Sequence, residues 1–152
     1  MTIRFAILSF AHYHANFWAQ AINAAPDATL AGIWDDNPER GQQAAAQYNA
    51  PFYADLDGLV ADWAAVGTTS EPAKHADLVE RAAAAGKPIL LEKPMATRAA
   101  EARRIQAAVE RSGVLFMQNF PKRYDPINHE LVAKVHGGEL GKISLVRVRH
   151  GT

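Results

Sequence analysis

Short, continuous apolar runs alternate along most of the chain with segments of helical periodicity, and this alternation is the strongest constraint on the fold. The clearest runs lie at residues 3–8, 28–34, 63–67, 88–91 and 114–117. Because they are not interrupted by regularly spaced polar residues, both faces of each predicted strand are covered. Strands separated by single helices form right-handed β-α-β units. The pattern therefore predicts an α/β fold with a doubly wound, mostly parallel sheet.

The end of the chain follows a different pattern. Residues 142–150 finish in strict alternation of valine and arginine, which is typical of a strand with one exposed face in an antiparallel sheet. Because a strand needs a hydrogen-bonding partner, either it pairs with another molecule or the sequence is truncated, and truncation is the simpler account. We predict an α/β domain at 1–120, a connecting helical segment at 121–141, and the opening strand of a truncated α+β C-terminal domain at 142–152.

Composition excludes several classes of protein. Lysine plus arginine equals aspartate plus glutamate at 16 each, which argues against a nucleic-acid partner because such proteins usually carry a basic excess. No stretch approaches the ~20 apolar residues of a membrane span, and no signal peptide is evident. The absence of cysteine excludes disulfides, thiolate metal sites and a cysteine nucleophile. We therefore expect a cytoplasmic protein without a membrane partner.

The turn after the first predicted strand lies where a dinucleotide-binding fold carries its glycine-rich phosphate loop. Residues 9–14 occupy the position of G-x-G-x-x-G but contain no glycine. Ser9 and Ala11 are small enough for a close approach of the backbone, whereas the bulk of His14 would push the first helix away from the strand. Backbone N–H groups at a helix N-terminus bind phosphate. The predicted cofactor contacts in this loop are Ser9, Phe10, Ala11, His12 and Tyr13.

Two acidic residues, Asp35 and Asp36, follow the second predicted strand about 20 residues past the loop. An acidic group at this position accepts hydrogen bonds from the ribose hydroxyls of NAD and repels the additional phosphate of NADP. The pair therefore favours NAD over NADP. Under the alternative interpretation, the two carboxylates only cap the helix that follows.

The tripeptide Glu92-Lys93-Pro94 directly follows the predicted strand at 88–91 and is the most specific feature of the sequence. Together with the loop, Asp35, the segment KRYDP at 122–126 and the closing strand, it resembles the Gfo/Idh/MocA family of oxidoreductases over essentially the whole chain. The resemblance implies a Rossmann fold and hydride transfer between NAD and a secondary alcohol of a sugar, inositol or similar polyol. It also implies that the full-length protein forms a homo-oligomer.

The resemblance also implies roles for single residues. Lys93 would lie between the nicotinamide and the substrate, where it orients the reacting hydroxyl and tunes proton transfer, and the backbone of Glu92 would lie against the nicotinamide ribose. The family's usual proton-transfer histidine belongs to a C-terminal domain, so none of the six histidines here takes that role. Further residues that match the cofactor-facing loops are Thr69, Ser70, Gln118 and Asn119.

The remaining histidines receive simpler interpretations. The pair His12 and His14 has the spacing of two metal ligands, but no carboxylate lies close in sequence, and no metal is predicted. His75 lies near the predicted cleft, and we expect it to face solvent or to cap a helix.

Two alternative functions remain open from the sequence. One is a dinucleotide-binding regulatory or redox-sensing protein without dehydrogenase turnover, which the loss of the loop glycines supports. The other is an α/β domain that binds no dinucleotide and serves in assembly. We expect this chain alone to bind the cofactor weakly and not to turn over substrate.

Overall fold

The structure, a computed structural model, describes residues 2–62 and 64–149. The chain divides into two compact units, and the division follows Asn119. Across the described ranges, no helix has the length and apolar character needed to cross a membrane. The predicted strand positions at Trp63 and His150 lie outside the described residues.

The described part of the first unit contains one six-stranded sheet in which every neighbouring pair of strands is parallel. The strands are β1 (Ile3–Leu8), β2 (Ala28–Trp34), β3 (Phe52–Tyr53), β4 (Ala65–Thr68), β5 (Ile89–Leu91) and β6 (Phe116–Gln118). Their order across the sheet is β3-β2-β1-β4-β5-β6, so the direction of winding reverses between β1 and β4. The predicted doubly wound parallel sheet is confirmed.

Helices connect these strands. They are α1 (His14–Ala24), α2 (Pro38–Tyr48), α3 (Leu56–Asp62), α4 (His75–Ala84) and α5 (Ala99–Ser112), and a 3₁₀ turn at Pro72–Lys74 precedes α4. The boundaries of α2 follow from local chemistry. The Asn37 side chain accepts a hydrogen bond from the Arg40 amide, Pro38 occupies the first turn, and Asn49 ends the helix with a left-handed φ of 52°.

Local interactions determine the start of α5 and the buried face of α1. The cap position of α5 is Arg98, and the Glu101 carboxylate accepts hydrogen bonds from the backbone amides of Thr97 and Arg98. On α1, the large side chain of Phe17 is 57% exposed. Burial on α1 falls on the small residues Ala15 and Ala19 instead, because small residues let a helix approach a sheet closely.

The core consists of two apolar clusters, and β1 contributes to both. Ala6 and Leu8 belong to the cluster that includes residues of α3, α4 and α5. Ile7, between them in sequence, belongs to the cluster that includes residues of α1 and α2. Successive side chains of a strand point to opposite faces, so both faces of the sheet are covered, as continuous apolar strands require.

Gly41 on α2 is required by close packing. A Cβ atom at this position would lie 2.5 Å from Phe52 Cε2 and 2.9 Å from Asp35 Cβ. We expect Gly41→Ala to lower the free energy of unfolding by about 1–3 kcal/mol, because overpacking outweighs the better helix propensity of alanine. Urea unfolding measures the change. Gly58→Ala on α3 is the control, since its nearest atom is the Asp55 carboxylate oxygen at 3.1 Å; an equal loss in both variants would contradict the packing argument.

The second unit contains a 3₁₀ turn at Pro121–Arg123 and α6 (Pro126–His136). Asp125 caps α6 by accepting a hydrogen bond from the Ile127 amide. The strand predicted at 142–150 is not formed over 142–149, because a strand requires a hydrogen-bonded neighbour and none of the described residues pairs with this segment. The assignment of this segment to a further domain stays a prediction.

Candidate functional site at the carboxyl edge of the sheet

The carboxyl ends of β1, β4, β5 and β6 meet at one edge of the sheet. The register places Leu8 beside Thr68, Thr68 beside Leu91, and Leu91 beside Gln118. Backbone hydrogen bonds extend the pairing by one residue, with the Glu92 amide donating to the Thr68 carbonyl at 3.0 Å. In a doubly wound sheet, ligands bind in the crevice at this edge, where the strand order reverses.

Ser9, directly after β1, has the backbone conformation that the missing glycine would supply. Its φ is +73°, in the left-handed region that costs a non-glycine residue on the order of 1–3 kcal/mol. The surroundings hold it there: the Ser9 hydroxyl accepts a hydrogen bond from the Ala11 amide at 3.1 Å, and the Thr69 hydroxyl donates to the Ser9 carbonyl. The loop therefore follows the course of a dinucleotide-binding turn without glycine.

The loop amides are largely occupied by the protein itself. The Phe10 amide donates to Asp35 at 2.7 Å, the His12 amide to the Thr69 carbonyl at 3.2 Å, and the His14 amide to His12 Nδ1 at 3.2 Å. Tyr13 precedes α1, and its amide has no hydrogen-bond partner among residues 2–62 and 64–149. The backbone course fits a bound pyrophosphate, but this loop offers fewer free N–H groups for it than a glycine-rich loop would.

The expected displacement of α1 by His14 does not occur. Ala15 and Ala19, on the same helix, are fully buried in the cluster that contains Ile7 of β1. The His14 ring lies instead with Nδ1 3.1 Å from Glu92 Oε2. The side chain at the third glycine position is thus accommodated by a polar partner at the end of another strand.

Asp35 is buried, and both of its carboxylate oxygens are bound by the protein. Its donors are the amides of Phe10 and Asn37, at 2.7 and 2.9 Å, and the Arg40 guanidinium, through Nε at 2.9 Å and Nη2 at 2.6 Å. Because Asn37 is the residue that caps α2, the interpretation of the acidic pair as mere helix caps is wrong. Asp35 instead fastens the phosphate loop to the start of α2.

Asp36 is the more accessible of the two carboxylates, with its side chain 33% exposed. It pairs with Arg40 at 2.9 Å and with Lys74, which also contacts Glu71 at 3.1 Å. The hydrogen bond from Lys74 holds the pKa of Asp36 below its ordinary value. This edge of the site therefore presents carboxylates that are ionised at neutral pH, together with two cations that the sequence reasoning did not single out.

Glu92 is the buried centre of the site. One carboxylate oxygen accepts the backbone amide of Lys93 at 2.9 Å, and the other accepts the Asn119 side-chain amide at 2.8 Å and lies beside His14 Nδ1. The ends of β5 and β6 and the start of α1 thus converge on one carboxylate. The sequence did not predict this contact of His14, because no local pattern signals a contact between residues so far apart in the chain.

Lys93 is exposed, and its ammonium group has no hydrogen bond or ion pair within the described part of the chain. Burial lowers the pKa of His12, and the proximity of His14 and of the Lys93 ammonium group lowers it further. His12 is therefore neutral at pH 7. Lys93 supplies a free cation beside this histidine and the buried carboxylate of Glu92.

His75 is fully buried, so the expectation of a solvent-facing or capping residue is wrong. Its Nε2 atom lies 3.1 Å from the Ser70 carbonyl, and Nδ1 lies 3.0 Å from the Pro94 carbonyl and 3.2 Å from that of Met95. The ring therefore ties the loop after β4 to the loop that carries Lys93.

The remaining predicted positions lie at the same edge. Thr69 and Ser70 are buried behind the phosphate loop. Gln118 ends β6 and donates through Nε2 to the Leu91 carbonyl at 3.1 Å, whereas its Oε1 is buried without a partner in the described chain. Among the described residues, no group of three or more histidine, aspartate or glutamate side chains is arranged to hold a metal ion.

Comparison with known proteins decides the family. Residues 3–120 match the family model GFO_IDH_MocA, described as "Oxidoreductase family, NAD-binding Rossmann fold". The chain belongs to the Gfo/Idh/MocA family. The strand order of its sheet is that of a Rossmann fold, and the loop after β1 contains no glycine.

Similar proteins include two inositol 2-dehydrogenases. The protein from Gluconacetobacter diazotrophicus is 36% identical over 90% of this chain and 41% of its own length, and that from Rhizobium meliloti is 30% identical over 97% and 45%. Among solved structures, the WlbA dehydrogenase from Bordetella pertussis, in complex with NADH and UDP-GlcNAcA, is 26% identical, with a TM-score of 0.85 over 94% of this chain and 44% of its own. The chain spans less than half the length of these family members.

Proposed function

We propose that this chain is the cofactor-binding part of an NAD-dependent oxidoreductase that transfers a hydride between the nicotinamide and a secondary alcohol of a sugar, inositol or similar polyol. The observation that carries the proposal is the free, exposed ammonium group of Lys93, directly after the buried anchor Glu92 at the carboxyl end of β5. The names of the inositol 2-dehydrogenases support the substrate class. A homo-oligomeric, cytoplasmic whole protein is part of the same proposal.

Bound NAD would supply the hydride acceptor. The residues of this chain bind the cofactor, orient the reacting hydroxyl and stabilise the charge that develops on its oxygen. Lys93 donates a hydrogen bond to the reacting hydroxyl and stabilises the alkoxide that develops on it. The Tyr13 amide, at the start of α1, donates to the pyrophosphate. The residues proposed to line the cofactor are Ser9, Phe10, Ala11, His12, Tyr13, Asp35, Asp36, Thr69, Ser70, Glu92, Lys93 and Gln118.

The acidic pair supports a preference for NAD over NADP. Asp35 is occupied by loop and helix donors, so we propose that it acts by shaping the loop, and that Asp36 is the carboxylate nearer to the adenosine ribose. Arg40 and Lys74 offset part of this negative charge, but Glu71 adds another carboxylate. A 2′-phosphate would therefore meet a net negative edge, which disfavours NADP.

Titration of the purified protein with NADH and NADPH, followed by cofactor fluorescence, tests this proposal. We expect saturable binding of both, with NADH bound at least about tenfold more tightly, which corresponds to about 1.4 kcal/mol. Asp36→Asn should reduce the difference in affinity between NADH and NADPH. Asp57→Asn, at an exposed acidic position on α3, should leave that difference unchanged. Absence of saturable binding would overturn the proposal, and tighter NADPH binding would overturn the role of the acidic edge.

One observation favours a second candidate, a cofactor-binding regulatory or redox-sensing protein without turnover. Most loop amides already donate hydrogen bonds within the chain, namely those of Phe10, Ala11, His12 and His14. Few N–H groups of the loop therefore remain to bind a pyrophosphate during catalysis. Saturable NADH binding by a whole protein that oxidises no polyol or sugar would favour this candidate.

A further inference from the structure

Two cations lie at the acidic edge of the site, and they differ in how firmly the protein holds them. The Arg40 guanidinium donates to the buried carboxylate of Asp35 through Nε at 2.9 Å and Nη2 at 2.6 Å. The same Nη2 lies 2.9 Å from Asp36 Oδ1. Withdrawal of Arg40 would leave a buried carboxylate without its counter-charge, which is strongly destabilising. Arg40 is therefore fixed in its place.

Lys74 is held far more loosely. It ends the 3₁₀ turn after β4, and its ammonium group contacts the carboxylates of Asp36 and Glu71. The three side chains are 33–46% exposed, and ion pairs between such exposed groups contribute little to stability. The hydrogen bonds with Asp36 and Glu71 raise the pKa of Lys74, so it carries a full positive charge at neutral pH. Because the side chain is also a flexible stem with three N–H donors, Lys74 can exchange Asp36 for another anion at small cost.

The contact between Lys74 and Asp36 passes across the end of β1, where the direction of winding reverses. Asp36 follows β2 and Lys74 follows β4, and these two strands flank β1 in the sheet. The loop after β1 lies at the same place, because Asp35 accepts a hydrogen bond from the Phe10 amide at 2.7 Å. In a dinucleotide-binding fold the adenosine ribose meets the acidic residues after the second strand. A cation from the other side of the crevice is thus already in contact with a carboxylate at this position.

We propose that Lys74 determines how strongly the site discriminates between the two dinucleotides: its ammonium group moves from Asp36 to the 2′-phosphate of NADP and stays on Asp36 when NAD is bound. The inference rests on the proposed function, which places the adenosine ribose at Asp36. The acidic edge repels a 2′-phosphate, and Lys74 offsets part of this repulsion because it is the cation that can move. NADPH therefore binds through Lys74, although the site prefers NADH.

Lys74→Met tests this role, because methionine keeps an unbranched side chain without the charge. We expect the variant to bind NADPH about tenfold more weakly than the wild type, since a charge-assisted hydrogen bond is lost. Its NADH affinity should stay within about twofold of the wild-type value, because only an exposed ion pair is removed. The loss of NADPH affinity should shrink at high salt, which screens exposed charges. Arg81→Met, which removes a cation of α4 that pairs with exposed Asp57, is the matched control and should change neither affinity.

Asp36→Ser, alone and combined with Lys74→Met, separates attraction by the lysine from relief of repulsion. Removal of the carboxylate frees Lys74, so Asp36→Ser should tighten NADPH binding by about tenfold or more. The double variant should lose most of this gain. A gain fully retained in the double variant, or an unchanged NADPH affinity in Lys74→Met, would overturn the inference. Both positions are partly exposed, and the residue that caps α2 is Asn37, so we expect the variants to fold.

A smaller probe tests the same contact without the phosphate loop. Adenosine 2′-phosphate carries the phosphate in question but no pyrophosphate, and NMR titration detects its binding. Lys74→Met should bind it more weakly than the wild type does, whereas adenosine itself should bind equally to both. Equal binding of adenosine 2′-phosphate by the two proteins, in a chain that binds NADH, would contradict this inference alone. A wild-type protein without saturable NADH binding would overturn the proposed function and this inference together.

Discussion

Replacement of Lys93 by alanine in the whole protein is expected to lower kcat by about 10²–10⁴-fold, the usual contribution of a positioned proton-transfer or charge-stabilising group. NADH affinity should change little, because the Lys93 side chain makes no hydrogen bond or ion pair with the loop at residues 9–14 or with Asp35 and Asp36 in the described structure. The backbone amide of residue 93, which anchors Glu92, remains in the variant. Steady-state kinetics with a polyol substrate and a parallel NADH titration measure the two quantities.

Two further variants make this expectation specific. Lys87→Ala removes a lysine just before β5, at the opposite edge of the sheet from Lys93, and should leave kcat near the wild-type value. Lys93→Arg keeps the positive charge but replaces a compact ammonium with a planar guanidinium that does not release its proton; we expect it to recover only part of the activity. Full activity of the Lys93→Ala variant would show that Lys93 is not a catalytic residue.

The fold was largely predictable because its determinants are local and repeated. Continuous apolar runs predicted strands covered on both faces, and β1 and β2 formed where the runs occur. Strands β5 and β6 begin one and two residues later than their apolar runs. No strand forms over 142–149, because alternation indicates only a preference and a strand needs a hydrogen-bonded partner.

The site was predictable in position but not in detail. The Glu92-Lys93-Pro94 motif and the loop after β1 pointed to one edge of the sheet, where the structure does bring them together. The glycine pattern of the loop was a poor guide because it specifies residue types, whereas the loop requires a backbone conformation. Ser9 adopts the required positive φ without being glycine. The contacts of His14 with Glu92 and of His75 with Pro94 join residues distant in sequence, and no local pattern encodes them.

Arg40 is expected to contribute more to stability than any other charged surface residue of the described structure. Its guanidinium makes a bidentate contact with Asp35, whose side chain is fully buried, while Arg40 itself is 31% exposed. Removal of one partner leaves a buried carboxylate without its counter-charge, which costs about 3–5 kcal/mol in fully buried pairs. Partial exposure of Arg40 reduces this by solvent screening, so we expect Arg40→Ala to lose about 2–4 kcal/mol of unfolding free energy.

Urea unfolding of three variants tests whether the buried charge of Asp35 causes the loss of unfolding free energy expected for Arg40→Ala. Arg81→Ala breaks a pair with Asp57 in which both side chains are more than half exposed, and should lose less than about 1 kcal/mol. The double variant Arg40→Ala with Asp35→Asn should recover part of the loss, because it removes the carboxylate that Arg40 would leave uncompensated. The same variants also test whether Asp35 stabilises the loop after β1, because its carboxylate accepts a hydrogen bond from the Phe10 amide. A loss of stability in Arg40→Ala no larger than in Arg81→Ala would show that the backbone amides of Phe10 and Asn37 suffice to stabilise the buried carboxylate.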